Sequence, residues 1–122
     1  RQMCIRDRPY MEKAYSLSGK KKGRIAYFLG VLYFKLGYIE KSRKLFGSLK
    51  DIGQAGVFYY LSIIEAKENN YEGAIKIIRM GLRNFKENPL LLKSAYEIYL
   101  KAGKIKMAKE YLMQLKRILK KK

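Results

Sequence analysis

Few side chains in this chain are equipped to make or break bonds. Its 122 residues contain no His, and Cys4 is the only Cys. Acid–base work and metal binding draw on these types first. Beyond residue 8, Asp51 is the only Asp, and the few Ser residues have no evident activating base. No glycine pattern of the phosphate-loop or dinucleotide type occurs. These residues point away from an enzyme, and no cofactor is expected. What remains in quantity is binding chemistry. Lys and Arg number 28 against 10 acidic residues, a net charge of +18, and Tyr occurs 11 times.

The elements that must position these side chains are marked by a recurring turn. Gly37, Asn69 and Gly103 are spaced 32 and 34 residues apart. Five residues after each comes a small residue: Ser42, Ala74, Ala108. Four further on comes a large apolar one: Phe46, Ile78, Leu112. A period near 34 residues with helix–turn–helix patterning predicts a stacked-helix array. Helices are expected over Arg24 to Leu36, Ile39 to Leu49, Ala55 to Lys67, Tyr71 to Asn84, Pro89 to Lys101, and from Lys104 toward the C-terminus. Asn88-Pro89 reads as a cap followed by a first-turn proline. Pro9 to Leu17 predicts a short N-terminal helix, and Ser18 to Gly23 a polar loop. Strand patterning is poor, so the expected fold is all-α: three antiparallel hairpins and the short helix.

Residues 1–8 read differently from the rest. Arg1-Gln2-Met3-Cys4-Ile5-Arg6-Asp7-Arg8 resembles a translated sequencing adaptor and is set aside as an artefact. Cys4 then says nothing of redox compartment. The chain also begins with Arg rather than Met, so an incomplete reading frame is expected. The expected organisation is an artefact over 1–8, the remnant helix and loop of a preceding repeat over 9–22, and a repeat array over 23–122. Its repeats are placed at about 23–54, 55–88 and 89–122. No apolar run approaches the ~20 residues of a membrane span. The expected compartment is the cytoplasm, subject to whatever precedes residue 1.

Within this frame the chain resembles the tetratricopeptide repeat (TPR) family from about Gly23 to Leu115. The first repeat reads Ala26-x2-Leu29-Gly30-x2-Tyr33, then Ser42-x3-Phe46. The second reads Phe58-x2-Leu61-Ser62-x2-Glu65, then Ala74-x3-Ile78. The third reads Leu92-x2-Ala95-Tyr96-x2-Tyr99, then Ala108-x3-Leu112. The stretch Asn69-Asn70-Tyr71-Glu72-Gly73-Ala74 is similar to the family's inter-helix turn. The repeats are degenerate: Ala26, Phe58 and Leu92 stand at the Trp position, and Tyr96 replaces a small residue. Glu65 replaces a packing Tyr, with a Lys as its expected partner.

The resemblance implies an α-solenoid whose first helices line a concave groove that holds a peptide or partner protein. Carried over residue by residue, the groove positions include Tyr27, Phe28 and Lys35, then Tyr59, Tyr60 and Lys67, then Lys93, Ser94 and Lys101. The aromatic strip Tyr27, Phe28, Tyr59 and Tyr60 suits a contact surface. Core packing explains the same residues. Lys35, Lys67 and Lys101 are equivalent positions that would grip an acidic peptide, yet lysine near a helix end also answers the macrodipole. No Asn occupies a groove position, so the family's carboxylate-gripping pattern is not expected.

High positive charge raises nucleic acid as a second partner class, giving a nucleic-acid- or ribosome-associated repeat protein as the alternative function. Lys supplies 20 of the basic residues and Arg only 8, spread over all helices. Arg is the better bidentate reader of phosphate. Codon bias in a low-GC bacterial genome also enriches Lys, Ile, Asn and Tyr. Protein binding is therefore favoured. The last helix, with Leu112, Leu115 and Leu119 against Lys116 and Arg117, has the amphipathicity of a membrane-surface helix, but packing on its own repeat accounts for it. An array open at its N-terminal edge exposes apolar surface, which predicts self-association there.

Overall fold

Three turns built alike divide the helices. Gly37, Asn69 and Gly103 all take positive φ (90°, 61° and 83°), the conformation that favours Gly or Asn. After each, a backbone N–H reaches back to close the preceding helix: Tyr38 to the Tyr33 carbonyl, Asn70 to Glu65 and Lys104 to Tyr99, each at 2.9 Å. This is the six-to-one bond of a helix-ending left-handed turn. The next helix starts at once. Ser42, Ala74 and Ala108 donate their N–H groups to the carbonyls of Tyr38, Asn70 and Lys104.

The computed structural model describes residues 9, 12 and 22–121. Among these lie six helices: α1 (Lys22–Leu36), α2 (Ile39–Gly47), α3 (Ala55–Lys67), α4 (Tyr71–Asn84), α5 (Pro89–Lys101) and α6 (Ile105–Lys120). No strand occurs among the described residues. The fold is an all-α, TPR-like helical repeat of three hairpins. The adaptor-like residues 1–8 lie outside the described residues. So does the expected Pro9 to Leu17 helix, apart from Pro9 and Glu12, both of which are helical.

Three boundaries differ from expectation, the smallest shift being at α6, which starts at Ile105 with Lys104 as its N-cap. α1 starts at Lys22, so Gly23 is helical rather than part of a loop. Glycine's helix penalty is conformational entropy, which weighs most in a helix interior rather than at its first residues, and Gly23 sits against Ile52. α2 ends at Gly47 rather than Leu49. Ser48 caps it, its N–H and hydroxyl both reaching the Leu45 carbonyl. Leu49 is buried beyond the helix end.

The chain forms two compact units, residues 1–57 and 58–122. In the first, α1 packs on α2 through Gly30. A Cβ at Gly30 would lie 2.8 Å from the Phe46 ring. Ser42 donates its hydroxyl to the Gly30 carbonyl at 2.9 Å, and Ser42 and Phe46 are both fully buried. In the second unit Ala74, Ile78 and Ala108 are likewise fully buried. Leu112, the third large apolar residue of the pattern, is only half-buried. α5 packs on both α4 and α6. Asn88 accepts from the Leu91 N–H at 3.1 Å, with Pro89 in the first turn, as the sequence predicts.

Candidate functional site

The predicted groove residues fall into two sets, one in each unit. In the first unit Tyr27 and Phe28 lie on α1 with their rings edge-on, 5.6 Å apart. Phe28 is 49% exposed. Tyr27 is half-buried, with its ring 5.9 Å from Phe46 and its hydroxyl where a side chain on Gly56 would stand. Burial pushes the Tyr27 phenol pKa up. Tyr27 therefore contributes to packing, while Phe28 presents a free apolar face. Lys35 is exposed in the last turn of α1.

In the second unit Tyr59 and Tyr60 are half-buried, their rings edge-to-face at 5.1 Å. Lys67 is exposed in the last turn of α3, and Lys101 in the last turn of α5. α3 and α5 meet at a buried hydroxyl pair, Ser62 and Ser94, 3.2 Å apart. Ser62 spends its own proton on the Tyr59 carbonyl at 2.8 Å, so Ser94 is the donor to Ser62. This corrects one expectation. Ser94 is buried (4% exposed) between helices rather than lining a groove.

Lys93 is exposed on α5 and borders a cavity of about 470 Å³ at the mouth between α5 and α6. Pro89, Leu90, Leu115 and Leu119 supply its apolar walls. Glu65 accepts a hydrogen bond from the Asn70 side chain at 2.8 Å. The same amide's oxygen caps α4 by accepting from Gly73 N–H at 3.1 Å. The Asn70 side chain thus serves both the cap and Glu65, a use of the turn that the repeat motif does not announce.

Two further clusters have no counterpart in the repeat motif. In the first unit a cavity of about 430 Å³ is walled by Leu29, Tyr33 and Leu45, with Glu12, Lys41 and Lys44 at its edge. Tyr33 donates to the Glu12 carboxylate at 2.6 Å, and Lys41 Nζ stands 5.5 Å from the Tyr33 ring centre. In the second unit Arg79, Arg83 and Lys86 converge on a cavity between α4 and α6. The four-residue Arg spacing was visible, but the facing residues come from a helix some 30 positions away.

Among the described residues no helix is long and apolar enough to cross a membrane. No group of three His, Cys, Asp or Glu residues is arranged to hold a metal ion.

No protein-family model matches the sequence, and no curated protein matches it. Solved structures do. MamA AMB-1 superposes with a TM-score of 0.78 at 13% identity, over 96% of this chain and 70% of that one. A MamA MSR-1 structure gives 0.76 at 13% identity, over 95% and 67%. The type III secretion translocator chaperone SycD of Yersinia enterocolitica gives 0.76 at 21% identity, over 85% and 79%. At these identities the likeness shows the TPR-like helical-repeat fold.

Proposed function

We propose that the chain is a degenerate member of the TPR family and works as a non-catalytic protein-interaction module. The partner is a peptide or an extended segment of another protein, held on the first-helix faces of the repeats. The observation that carries this reading is the likeness to helical-repeat proteins over nearly the whole chain, among them a secretion chaperone. Repeat arrays of this kind offer surface rather than a reaction centre.

In the second unit Tyr59 and Tyr60 are the apolar anchors: large faces, few rotamers to freeze, and a polar tip each. Lys67, Lys93 and Lys101 carry positive charge on α3 and α5 and steer acidic segments toward them. Phe28, backed by Tyr27 and with Lys35 on the same helix, plays the anchor's part in the first unit. The macrodipole explains why lysine is tolerated at Lys35, Lys67 and Lys101. It does not account for Lys93, which lies in mid-helix.

The test is a pull-down from a low-GC bacterial lysate, with and without nuclease, comparing wild type with Tyr59→Ala/Tyr60→Ala. The expected outcome is a specific protein that survives nuclease and is lost from the variant. Recovery of only nuclease-sensitive material, unchanged by the substitutions, would replace this reading with nucleic-acid binding.

A further inference from the structure

The basic cavity between α4 and α6 in the second unit has no part in the function proposed above. Arg79, Arg83, Lys86, Tyr111 and Gln114 line about 370 Å³, with Leu82 and Leu92 as the apolar wall. That volume falls within the ~300–1,000 Å³ of small-molecule sites. Arg79 and Arg83 are one helical turn apart, so both side chains leave α4 on one face. Every polar side chain lining the cavity can donate a hydrogen bond, and no carboxylate lines it. Among the described residues no carboxylate comes within ion-pair distance of Arg79, Arg83 or Lys86. Three cations thus face one cavity without a counter-charge.

The ordinary explanation of a basic helix end covers only part of this. Arg83 lies in the last turn of α4 and answers its dipole. Arg79 lies before that turn. It also lines the adjoining cavity, where Glu72, Lys104, Tyr99 and Tyr111 are found.

The Tyr99 and Tyr111 rings are 5.2 Å apart. The Tyr99 phenol is pushed up to about 12, chiefly by burial, then by the Tyr111 charge and a hydrogen bond with Tyr111, while Arg79 pulls it down.

We propose that this cavity binds the phosphate dianion of a small phosphorylated organic molecule. Arg79 and Arg83 bracket the phosphate oxygens with planar forks, which suit two or more oxygens on one centre. Lys86 adds the third charge, and Tyr111 and Gln114 add neutral donors. Leu82 and Leu92 take the apolar part of the ligand. A single carboxylate would leave most of the positive charge unanswered, whereas a dianion balances it more closely. A nucleic-acid strand would need the basic lining to continue as a track. Here the adjoining cavity adds a single further cation, Lys104, and sets the Glu72 carboxylate beside it.

The experiment titrates the whole chain with phenyl phosphate by calorimetry and NMR, with benzoate and a mixed-sequence oligonucleotide as parallel arms. Saturable one-to-one binding of phenyl phosphate, at least about tenfold weaker in Arg79→Gln/Arg83→Gln, is the expected result. The charge-matched pair Lys106→Gln/Lys109→Gln, on exposed α6 positions outside the cavity, should change it less than about twofold. Arg79→Lys/Arg83→Lys keeps charge but loses the forks. It should weaken binding several-fold and serves if the Gln pair is poorly folded. Equal losses in the Arg and Lys pairs would overturn the proposal. So would benzoate binding as tightly as phenyl phosphate, or saturable binding of the oligonucleotide alone.

Discussion

In the first unit two helices meet over a bare backbone. Gly30 lies under the Phe46 ring and takes the Ser42 hydroxyl on its carbonyl. In the second unit the close approaches use other atoms. Gly81 lies against Phe58 and Leu91, and Ser94 donates to Ser62 across α3 and α5. The turn geometry is the same in both, three positive-φ residues with the same closing bonds. What the fold holds constant is the backbone turn and a small residue at each close contact. Which residue meets the second demand varies with the neighbour it faces. The helical-repeat fold is thus shared, with a TM-score of 0.78 to one solved structure, although no family model matches the sequence.

The largest expected effect probes the first unit. Phe46 is fully buried, so Phe46→Ala should cost about 3–5 kcal/mol in denaturant unfolding. Gly30→Ala should cost about 1–3 kcal/mol by overpacking, since the new methyl falls 2.8 Å from the ring. The double variant Gly30→Ala/Phe46→Leu should then be more stable than the sum of its singles implies. Strict additivity would mean that Gly30 is needed for something other than the ring.

The second unit's hydroxyl chain should respond asymmetrically. Ser94 donates to Ser62, and Ser62 donates to the Tyr59 carbonyl. Ser62→Ala removes the acceptor of a buried donor and should cost about 1–3 kcal/mol. Ser94→Ala leaves Ser62 with its carbonyl partner and should cost less, about 0.5–1.5 kcal/mol. If the two costs are equal, or Ser94→Ala costs more, the donor assignment is wrong.

The sequence made the repeat legible because its strongest constraints are local. Only Gly or Asn readily serves at Gly37, Asn69 and Gly103, and a cap followed by proline at Asn88-Pro89 can hardly mean anything else. Helix boundaries came out within two residues, Gly23, Leu49 and Lys104 being the misplaced ones. The candidate site was less legible, because burial at a given position depends on which helices pair. Ser94 occupies a groove position in the motif yet turns into the α3–α5 contact. Tyr27 and Phe28 are neighbours in sequence, yet one packs on Phe46 and the other faces outward. The Arg79–Arg83 cluster matters only because α6 brings Tyr111 and Gln114 opposite it, which no periodicity within α4 reveals.

The smallest expected effect uses three positions that the repeat makes equivalent. Tyr38, Asn70 and Lys104 are the N-caps of α2, α4 and α6, and only Asn70 caps with its side chain. A capping oxygen satisfies an N–H that otherwise has no helical partner. Asn70→Ala should therefore cost about 1 kcal/mol, and slightly more because the Glu65 carboxylate also loses its donor. Lys104→Asn should do the reverse and stabilise by about 0.5–1 kcal/mol, because its backbone is already set for the role. Lys104 has φ −96° and ψ 71°, against −90° and 74° at Asn70. A Lys104→Asn variant no more stable than wild type would mean that the three caps are alike in backbone only. The difference between repeats would then lie in what surrounds each turn rather than in the turn itself.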